Sequence, residues 1–260
     1  MSIDETVLVE ARGLVKEYGA GGRVVDDVSF SIRRGETLGL VGESGSGKST
    51  VARLLLRLTE PTAGEVRYSD ENLLGMGSRE MRRMRRRMQI VFQDPFAALN
   101  PRMSVREILA EPFAIHQERP TEGLTVRLAD MLRTVGLDGS ALERFPHEFS
   151  GGQRQRINIA RALALKPEFL VLDEPVSALD VSVGAQVINL LRELQGAYGL
   201  TYLFISHSMP LVRYLCDRVA VMRKGRLVEM GKCEQVCDSP REEYTRQLIA
   251  ATPEMPILMS

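Results

Sequence analysis

The segment from Thr37 to Leu56 constrains the fold more than any other part of the chain. A short apolar run, "TLGLV", is followed by "GESGSGKS" and then by the helix-forming run "TVARLLL". The middle part fits the pattern G-x-x-x-x-G-K-[ST] from Gly42 to Ser49, and it stands between a strand and a helix, which is the context that this pattern requires. The sequence therefore predicts a phosphate-binding loop in a domain where strands alternate with helices.

The residue types of this loop suit an anion for physical reasons. Glycines let successive backbone N–H groups turn towards one anion, and the N-terminus of the following helix adds partial positive charge. Lys48 is predicted to bridge β- and γ-phosphate oxygens, and the Ser49 hydroxyl is predicted to ligate Mg²⁺. We expect the whole loop to hold the nucleotide, through Gly42, Glu43, Ser44, Gly45, Ser46, Gly47, Lys48, Ser49 and Thr50.

A second apolar run, "FLVLDE", predicts a buried strand from Phe169 to Leu172. Asp173 follows at the carboxyl end of that strand, where ligands bind in open α/β sheets. A carboxylate there can hold Mg²⁺ through water, so Asp173 is assigned to the metal site. Glu174 comes next, and we interpret it as the group that polarises the attacking water. The alternative is that Glu174 only neutralises local charge.

Two lone polar residues also follow predicted strands. Gln93 ends "QIVF", and His207 ends "TYLFIS". Each would be a weak signal alone, because a single histidine is more often an ordinary hydrogen-bonded residue. Together with Lys48 and Asp173 they describe one crevice at the strand ends, which predicts Gln93 and His207 as sensors of the γ-phosphate. Gln93 is also assigned to the Mg²⁺ site.

The stretch "EFSGGQRQR", from Glu148 to Arg156, is a second glycine-rich helix start. Gly151 and Gly152 allow close backbone approach. Arg154 and Arg156 lie in the first turn of the predicted helix, where cations oppose the helix dipole at a cost of about a few tenths of a kcal/mol each. An anion docked at the helix start would offset that cost. The residues thus predict a second phosphate-facing surface and leave open whose phosphate it faces.

Composition and charge exclude several classes of protein. Lys+Arg and Asp+Glu are 34 each among 260 residues, so bulk charge gives no reason to expect nucleic acid. The start, "MSIDETVLVEARG", does not resemble a signal peptide, and no apolar run approaches the ~20 residues of a membrane span. We therefore expect a chain that stays in the cytoplasm and that can dock on a membrane protein.

Two minor features have ordinary interpretations. Cys216, Cys233 and Cys237 are an odd number without a paired framework, which favours free thiols in a reducing compartment over a metal site. The basic run "REMRRMRRRM", from Arg79 to Met88, is interpreted as a solvated helix face rather than a phospholipid or nucleic-acid contact.

The order of predicted elements gives an α/β fold with one insertion. Residues 1–94 and 166–260 are predicted to form a core with a mixed, mostly parallel sheet and an antiparallel N-terminal β part, and "RKGR" is expected at a hairpin turn. Residues 95–165 are predicted to form a helical lobe that carries "SGGQ". Proline and glycine are expected to break the helices of this lobe.

These motifs occur in the order found in ABC-transporter ATPase subunits, which the chain resembles from about Leu8 to Ala251. The set is specific, because "SGGQ" shortly before "FLVLDE" is peculiar to this family. The resemblance implies a P-loop ABC ATPase that uses ATP and Mg²⁺, and it implies that Tyr18 in "KEYG" stacks on adenine. The matching segments are Gly42–Thr50, Gln93, Ser150–Gln153, Phe169–Glu174, "SALD" at Ser177–Asp180, and His207.

The resemblance also answers whose phosphate the second helix start faces. In ABC ATPases two subunits pack head to tail, and each signature caps the ATP held by the other subunit. The residues implied in this role are Ser150, Gly151, Gly152 and Gln153. Binding of two ATP molecules closes the pair, hydrolysis and release reopen it, and the helical lobe beside Gln93 passes that motion to membrane subunits.

A narrower similarity is to the ATPase subunits of oligopeptide, dipeptide and nickel importers, and to the second, F-type member of their ATPase pair. It is carried by "VFQDPFAALNPRMSV", "DEPVSALDVSV", "GLTYLFISH" and "SPREEYTRQLIAATP". The similarity implies a second ATPase subunit, two transmembrane permeases, an extracytoplasmic solute-binding protein, and a peripheral location on the cytoplasmic face of the inner membrane. Nucleic acid is not an expected partner.

The chain departs from the family pattern at a few positions. Phe149 stands where leucine is common, a variant that this subfamily shares, and Ser208 stands where aspartate usually follows the histidine. The longer cysteine-bearing tail of many relatives is absent, so no iron–sulfur cluster is expected. Every position that handles ATP matches the family.

Two other functions are weighed against the importer. One is an ABC ATPase of a soluble assembly, such as a carbon–phosphorus lyase complex, whose ATPase subunits look much alike. The other is a DNA-repair or ribosome-associated ABC protein, which the sequence disfavours because it has no coiled-coil or zinc insertion, no second cassette and no basic surplus. The solute, and the choice between homodimer and heterodimer, cannot be deduced from the sequence.

Overall fold

The computed structural model describes residues 6–19 and 22–251, and these divide into two compact units. The first unit comprises the described residues up to Met81 and those from Gln195 onward, and the second comprises Arg82–Leu194. Strands and helices are numbered along the whole chain. Helices α2 (Ser78–Met84) and α7 (Val181–Tyr198) each contribute residues to both units.

The N-terminal strands of the first unit form an antiparallel sheet in the order β2-β1-β4-β5. Along β2 the buried residues Val28, Phe30 and Ile32 alternate with more exposed ones, which is the pattern of a sheet that covers a core with one face. The four strands are β1 (Val7–Glu17), β2 (Arg23–Arg33), β4 (Ala63–Tyr68) and β5 (Glu71–Asn72).

The other strands of the first unit position the phosphate loop. Strand β3 (Thr37–Val41) pairs in parallel with both β8 (Thr201–Ile205) and β9 (Arg218–Arg223). Every residue of β3 and β8 is buried, as expected for parallel strands covered on both faces. Strand β10 (Arg226–Lys232) pairs antiparallel with β9 across a turn at Lys224 and Gly225, which confirms the predicted hairpin. The helices of this unit are α1 (Lys48–Leu55), α8 (Met209–Leu215), α9 (Cys233–Asp238) and α10 (Glu243–Ala250).

In the second unit two parallel strands pair with each other, and several helices occur between them in the sequence. Strand β6 (Met88–Val91) pairs with β7 (Phe169–Asp173), with Val91 opposite Leu172. The intervening helices are α3 (Pro95–Ala98), α4 (Val105–His116), α5 (Leu124–Thr134) and α6 (Gly151–Leu163), with 3₁₀ turns at Gly139–Glu143 and Pro146–Glu148. The parallel strands, the antiparallel N-terminal sheet and these helices confirm the predicted fold class.

One expectation about the helices was wrong. Proline was expected to break the helices of residues 95–165, yet α4 continues through Pro112. Proline removes one backbone hydrogen bond and crowds the preceding turn. Here a complete capping box between Ser104 and Glu107 fixes the helix start, and buried residues, including Ile108 and Phe113, stabilise it on both sides of the proline.

The basic run has the predicted structure only in its first part. Met81 and Met84 are buried, whereas Arg79, Arg82 and Arg83 are exposed, so α2 has a solvated face. The helix ends at Met84, however, and Met88 already belongs to β6. In the described ranges, the structure has no helix that is both long enough and apolar enough to span a membrane.

Candidate active site

The phosphate loop connects β3 to α1 through backbone conformations that require glycine. Gly42, Gly45 and Gly47 have φ angles of 150°, 78° and 108°. A Cβ atom on Gly42 would lie 2.1 Å from the carbonyl oxygen of Met222, and one on Gly47 would lie 2.6 Å from that of Val24. The glycines predicted to bind phosphate are therefore also needed for the loop to lie against its neighbouring strands.

Lys48 lies inside this loop and is only 4 % exposed. Its ammonium donates hydrogen bonds to the carbonyl oxygens of Gly42 and Glu43, at 2.8 and 2.7 Å, and to the Ser46 hydroxyl at 3.3 Å. A cation that is largely removed from water favours the approach of an anion. This arrangement agrees with the role predicted for Lys48 as a phosphate ligand.

The N-terminus of α1 is suited to the same anion. Its N-cap residue, Gly47, provides no side-chain hydrogen bond, and the first turn, which includes the half-buried Ser49 and Thr50, contains no acidic residue. The first N–H groups of a helix need partners from outside the helix, and the helix dipole favours a negative one.

The predicted sensor His207 leaves the same edge of the sheet as the phosphate loop. Strands β3 and β8 are parallel neighbours with Leu40 opposite Ile205, so Gly42 and His207 follow adjacent strand ends. The His207 side chain is exposed. The two lie together in the first unit, as expected from the strand order.

Ser208, where the family usually has aspartate, has a specific local geometry. Its backbone N–H donates to the Ser206 hydroxyl at 3.0 Å. Ser208 is the N-cap of α8 but provides no side-chain cap, and its hydroxyl is buried without a hydrogen-bond partner in the part of the chain that the structure describes. The start of α8, which follows the histidine, therefore has no side-chain cap at this residue.

Tyr18 follows β1 in the first unit and remains 47 % exposed. The Lys16 ammonium lies 5.0 Å from the centroid of its ring. An exposed aromatic face is the surface that stacking on adenine requires. The adenine contact itself stays a prediction.

The carboxylates of the second unit lie at the end of β7. Asp173 is the last residue of the strand and is 7 % exposed. Glu174 follows in a left-handed conformation with φ of 46°. Its carbonyl oxygen accepts hydrogen bonds from the backbone N–H and the hydroxyl of Ser177, at 3.2 and 3.0 Å, which stabilise the turn.

Gln93 meets Glu174 directly. Strands β6 and β7 are parallel, so the residues that follow them leave the sheet at the same edge. The Gln93 side-chain amide donates a hydrogen bond to Glu174 Oε2 at 3.0 Å. The structure thus brings together the predicted sensor and the predicted base. The assignment of Gln93 and Asp173 to Mg²⁺ stays a prediction.

The second glycine-rich helix start is internally capped. The Ser150 hydroxyl accepts the N–H of Gln153 at 3.3 Å, and Gln153 Oε1 accepts the N–H of Ser150 at 3.1 Å, which forms a capping box. A Cβ atom on Gly151 would lie 3.1 Å from Leu179, and one on Gly152 would lie 2.2 Å from Val183. The two glycines thus permit close packing against the "SALD" segment and the start of α7.

The two arginines of this helix make intramolecular contacts that the sequence did not predict. Arg154 donates to the Phe149 carbonyl oxygen at 3.0 Å, and its guanidinium lies 4.1 Å from the Phe96 ring centroid. Arg156 donates to the carbonyl oxygen of Val135, just after α5, at 2.8 Å. Both arginines were predicted in the first turn of the helix, but α6 begins at Gly151, so Arg156 lies in the second turn. The contacts of Arg154 offset its unfavourable position in the helix dipole.

Gln155 is a structural link that sequence reasoning missed. It is fully buried, and its side-chain amide donates to the carbonyl oxygen of Pro175, directly after Glu174, at 2.7 Å. This hydrogen bond connects α6 to the turn that contains Glu174, the predicted base. A polar residue on the apolar stripe of a helix, four positions before Ile159, is the signal that could have indicated it.

The cysteines lie apart from these motifs in the sequence. Cys216, Cys233 and Cys237 are free and buried, and the sulfur atoms of the last two are 3.8 Å apart. Burial raises the pKa of the Cys216 thiol well above its usual value, which keeps it protonated at neutral pH. No cluster of three or more histidine, cysteine or acidic residues suited to a metal ion occurs within residues 6–19 and 22–251.

Comparison with known proteins agrees with this geometry. The model of the ABC transporter family matches residues 25–177. The oligopeptide transport ATP-binding protein OppF of Bacillus subtilis is 52 % identical over 247 residues, which cover 94 % of this chain and 79 % of OppF.

Two solved structures have the same fold. The structure of cbiO1 from Clostridium perfringens, part of an ABC transporter complex, matches with a TM-score of 0.81 and 26 % identity, over 90 % of this chain and 92 % of that one. The ATP-binding cassette MJ0796, in a dimeric post-hydrolysis state with ADP and Pi, matches with a TM-score of 0.77 and 29 % identity, over 87 % and 99 %. The chain belongs to the ABC transporter family, as an ABC ATPase.

Proposed function

We propose that this chain is the ATP-hydrolysing subunit of a peptide importer. The buried Lys48 ammonium, held in a loop whose glycines admit no side chain, carries the proposal for nucleotide binding. The 52 % identity to a protein named for oligopeptide transport supports peptide import over a nickel importer or a soluble assembly such as a carbon–phosphorus lyase complex.

The phosphate loop binds ATP through its backbone and Lys48. Residues Gly42–Thr50 direct backbone N–H groups at the phosphates, and the N-terminus of α1 adds its partial charge. Ser49, Asp173 and Gln93 would hold Mg²⁺, which neutralises charge on the phosphates when bound. Tyr18 stacks on the adenine.

Glu174 acts as the general base. Its carboxylate accepts a proton from the attacking water while the oxygen of that water forms its bond to the γ-phosphorus. The bond between that phosphorus and the β,γ-bridging oxygen breaks, so that ADP leaves and inorganic phosphate is formed. The hydrogen bond from Gln93 to Glu174 Oε2 orients the carboxylate. His207, after β8, contacts the γ-phosphate and reports its presence.

The signature residues act on the nucleotide of a second ATPase subunit. Ser150, Gly151, Gly152 and Gln153 begin a helix whose first turn contains no acidic residue, which suits a phosphate of the partner's ATP. ATP binding closes the pair and hydrolysis reopens it. In this proposal residues 95–165 form the lobe that passes the motion on, and residues 1–94 and 166–260 form the core.

The assembly contains further partners. We infer two transmembrane permease subunits, a second ATPase and an extracytoplasmic solute-binding protein, with this chain on the cytoplasmic face of the inner membrane. Gentle solubilisation of membranes, capture of the tagged chain and mass spectrometry test this. We expect permeases and a binding protein to co-purify, whereas a set of soluble enzymes without membrane proteins would favour the soluble assembly.

Replacement of the base tests the chemistry. Glu174→Gln keeps a group that can accept the Gln93 hydrogen bond but cannot take a proton, so we expect turnover to fall about 10²- to 10⁴-fold while ATP still binds. Phosphate release and nucleotide titration measure the two effects. Glu193→Gln, an exposed change on α7, is the control. Undiminished turnover in Glu174→Gln would show that this carboxylate is not the base.

A further inference from the structure

The hydroxyl of Tyr244 contacts the phosphate loop from the other end of the sequence. Tyr244 lies in α10, is 6 % exposed, and its hydroxyl oxygen accepts the backbone N–H of Glu43 at 3.2 Å. Glu43 is the second residue of "GESGSGKS", and Tyr244 belongs to "SPREEYTRQLIAATP", a segment to which the proposed function assigns no role.

This bond and the Lys48 bond hold the same peptide unit. The carbonyl oxygen of Gly42 and the N–H of Glu43 belong to one planar peptide group and point in opposite directions. Lys48 donates to that carbonyl at 2.8 Å, and Tyr244 accepts from that N–H at 3.2 Å. The orientation of the plane therefore helps to set the position of the ammonium, because rotating the plane would break both bonds. The ammonium also donates to the Glu43 carbonyl oxygen and the Ser46 hydroxyl.

The Tyr244 ring is itself held in place. The Arg223 guanidinium, at the end of β9, lies 4.6 Å from the ring centroid. The start of α10 is fixed by Glu229 in β10, whose carboxylate accepts the backbone N–H groups of Arg241 and Glu242 at 2.8 and 3.1 Å. Burial opposes ionisation of Glu229, but these bonds prevail and keep its pKa below the usual value, so the support is charged at neutral pH.

The opposite side of the loop has a separate support that does not involve α10. The N–H of Gly225, in the turn between β9 and β10, donates to the carbonyl oxygen of Ser46 at 2.9 Å. Loss of the Tyr244 bond would therefore leave the loop anchored at Ser46 and loosen the Gly42–Glu43 peptide plane, whose carbonyl oxygen accepts from Lys48. The expected defect is in phosphate binding rather than in folding.

We propose that Tyr244 is a positioning residue for nucleotide binding, which fixes the Gly42–Glu43 peptide plane and through it the ammonium of Lys48. The inference rests on the proposed role of Lys48 as a phosphate ligand. It makes α10 part of the nucleotide site and links the C-terminal segment of the chain to ATP affinity.

Tyr244→Phe tests this, because phenylalanine keeps the ring against Arg223 and removes only the hydroxyl. We expect the Kd of MgATP for the purified full chain to rise about 3- to 10-fold, as for loss of one neutral hydrogen bond. The melting temperature without nucleotide should stay within about 4 °C of the unmutated chain. Tyr198→Phe, an exposed tyrosine of α7, is the control and should change neither value.

Two further measurements separate positioning from packing. Amide hydrogen exchange at Glu43 should accelerate in Tyr244→Phe, because that N–H loses its acceptor. Glu229→Gln keeps the Tyr244 hydroxyl but weakens the hydrogen bonds that fix the start of α10, so we expect the Kd of MgATP to rise about twofold. If Tyr244→Phe does not fold, Glu229→Gln is the second variant. An unchanged Kd of MgATP in Glu229→Gln would then overturn the inference.

The outcomes distinguish this inference from the proposed function. An unmutated chain that binds no MgATP would overturn both. An unmutated chain that binds MgATP while Tyr244→Phe binds it equally well would overturn the inference alone, whatever the melting temperatures. A raised Kd with an unchanged melting temperature and faster exchange at Glu43 would support it.

Discussion

The two glycine-rich helix starts differ in how their first backbone N–H groups are capped. At α1 the N-cap is Gly47, which provides no side-chain cap, and the buried Lys48 ammonium lies directly beside the loop. At α6 the N-cap is Ser150, which forms a complete capping box with Gln153. Compared with a glycine N-cap, a serine N-cap stabilises a helix by about a few tenths of a kcal/mol, so α6 has a small local stabilisation that α1 lacks.

The difference suits the two roles that we propose. The start of α1 has no side-chain cap and no acidic residue in its first turn, and the buried Lys48 ammonium lies beside it, which suits the binding of an anion. The start of α6 is complete without a ligand, as required of a surface that meets a nucleotide only when two subunits close. In our proposal the first is a binding site for the chain's own nucleotide, and the second is a preformed surface that meets the partner's nucleotide.

Among the changes that test this comparison, Ser150→Arg, at the start of α6, should have the largest effect. A long cationic side chain at this N-cap would block closure over the partner's nucleotide, so we expect hydrolysis by the assembled pair to fall about 100-fold or more, as for loss of a transition-state ligand. Nucleotide titration of the isolated chain should show unchanged ATP affinity, because the phosphate loop is intact.

Ser150→Ala is the matched control for that change. It loses the same capping box without adding bulk, so similar melting temperatures of the two variants would exclude unfolding as the cause. Weak ATP binding by the isolated Ser150→Arg chain would contradict a role that is exerted only on the partner's nucleotide.

Lys48→Ala tests the role that we propose for the start of α1. Hydrogen bonds to charged groups are worth about 1.5–3 kcal/mol, so we expect ATP affinity to fall about 10- to 100-fold, measured by titration calorimetry. The exposed Lys232→Ala change, in the same unit, is the control for loss of a positive charge. Equal affinities in the two variants would mean that Lys48 does not contact phosphate.

Local patterns explain why so much of the site could be predicted. The phosphate loop, the buried strand before Asp173 and the helix start at Ser150 are each encoded within about ten consecutive residues, and their chemistry depends on the order of those residues. The bond between Gln93 and Glu174 follows from strand order, because parallel neighbouring strands end at the same edge.

The remaining contacts join distant parts of the chain, and no local pattern encodes them. Tyr244 and Glu43 are 201 positions apart, and Arg156 meets a carbonyl oxygen 21 positions away. The helix through Pro112 was missed for a related reason, since burial of Phe113 and its neighbours outweighs the local preference of proline. Such contacts are consequences of packing, which a single sequence does not display.

Gly152→Ala should have the smallest of these effects when it is measured as the stability of the isolated chain, and it tests the packing at the start of α6. Its Cβ atom would lie 2.2 Å from Val183 Cγ1, so we expect the free energy of unfolding to fall by about 1–3 kcal/mol, measured by denaturant titration. Adding Val183→Ala should restore part of the loss, because it removes the clashing methyl group. Gly196→Ala, in α7 with open space around it, should be neutral or stabilising by up to about 1 kcal/mol. If Gly152→Ala were as harmless as Gly196→Ala, the glycine at α6 would serve the partner's phosphate rather than the packing of its own unit.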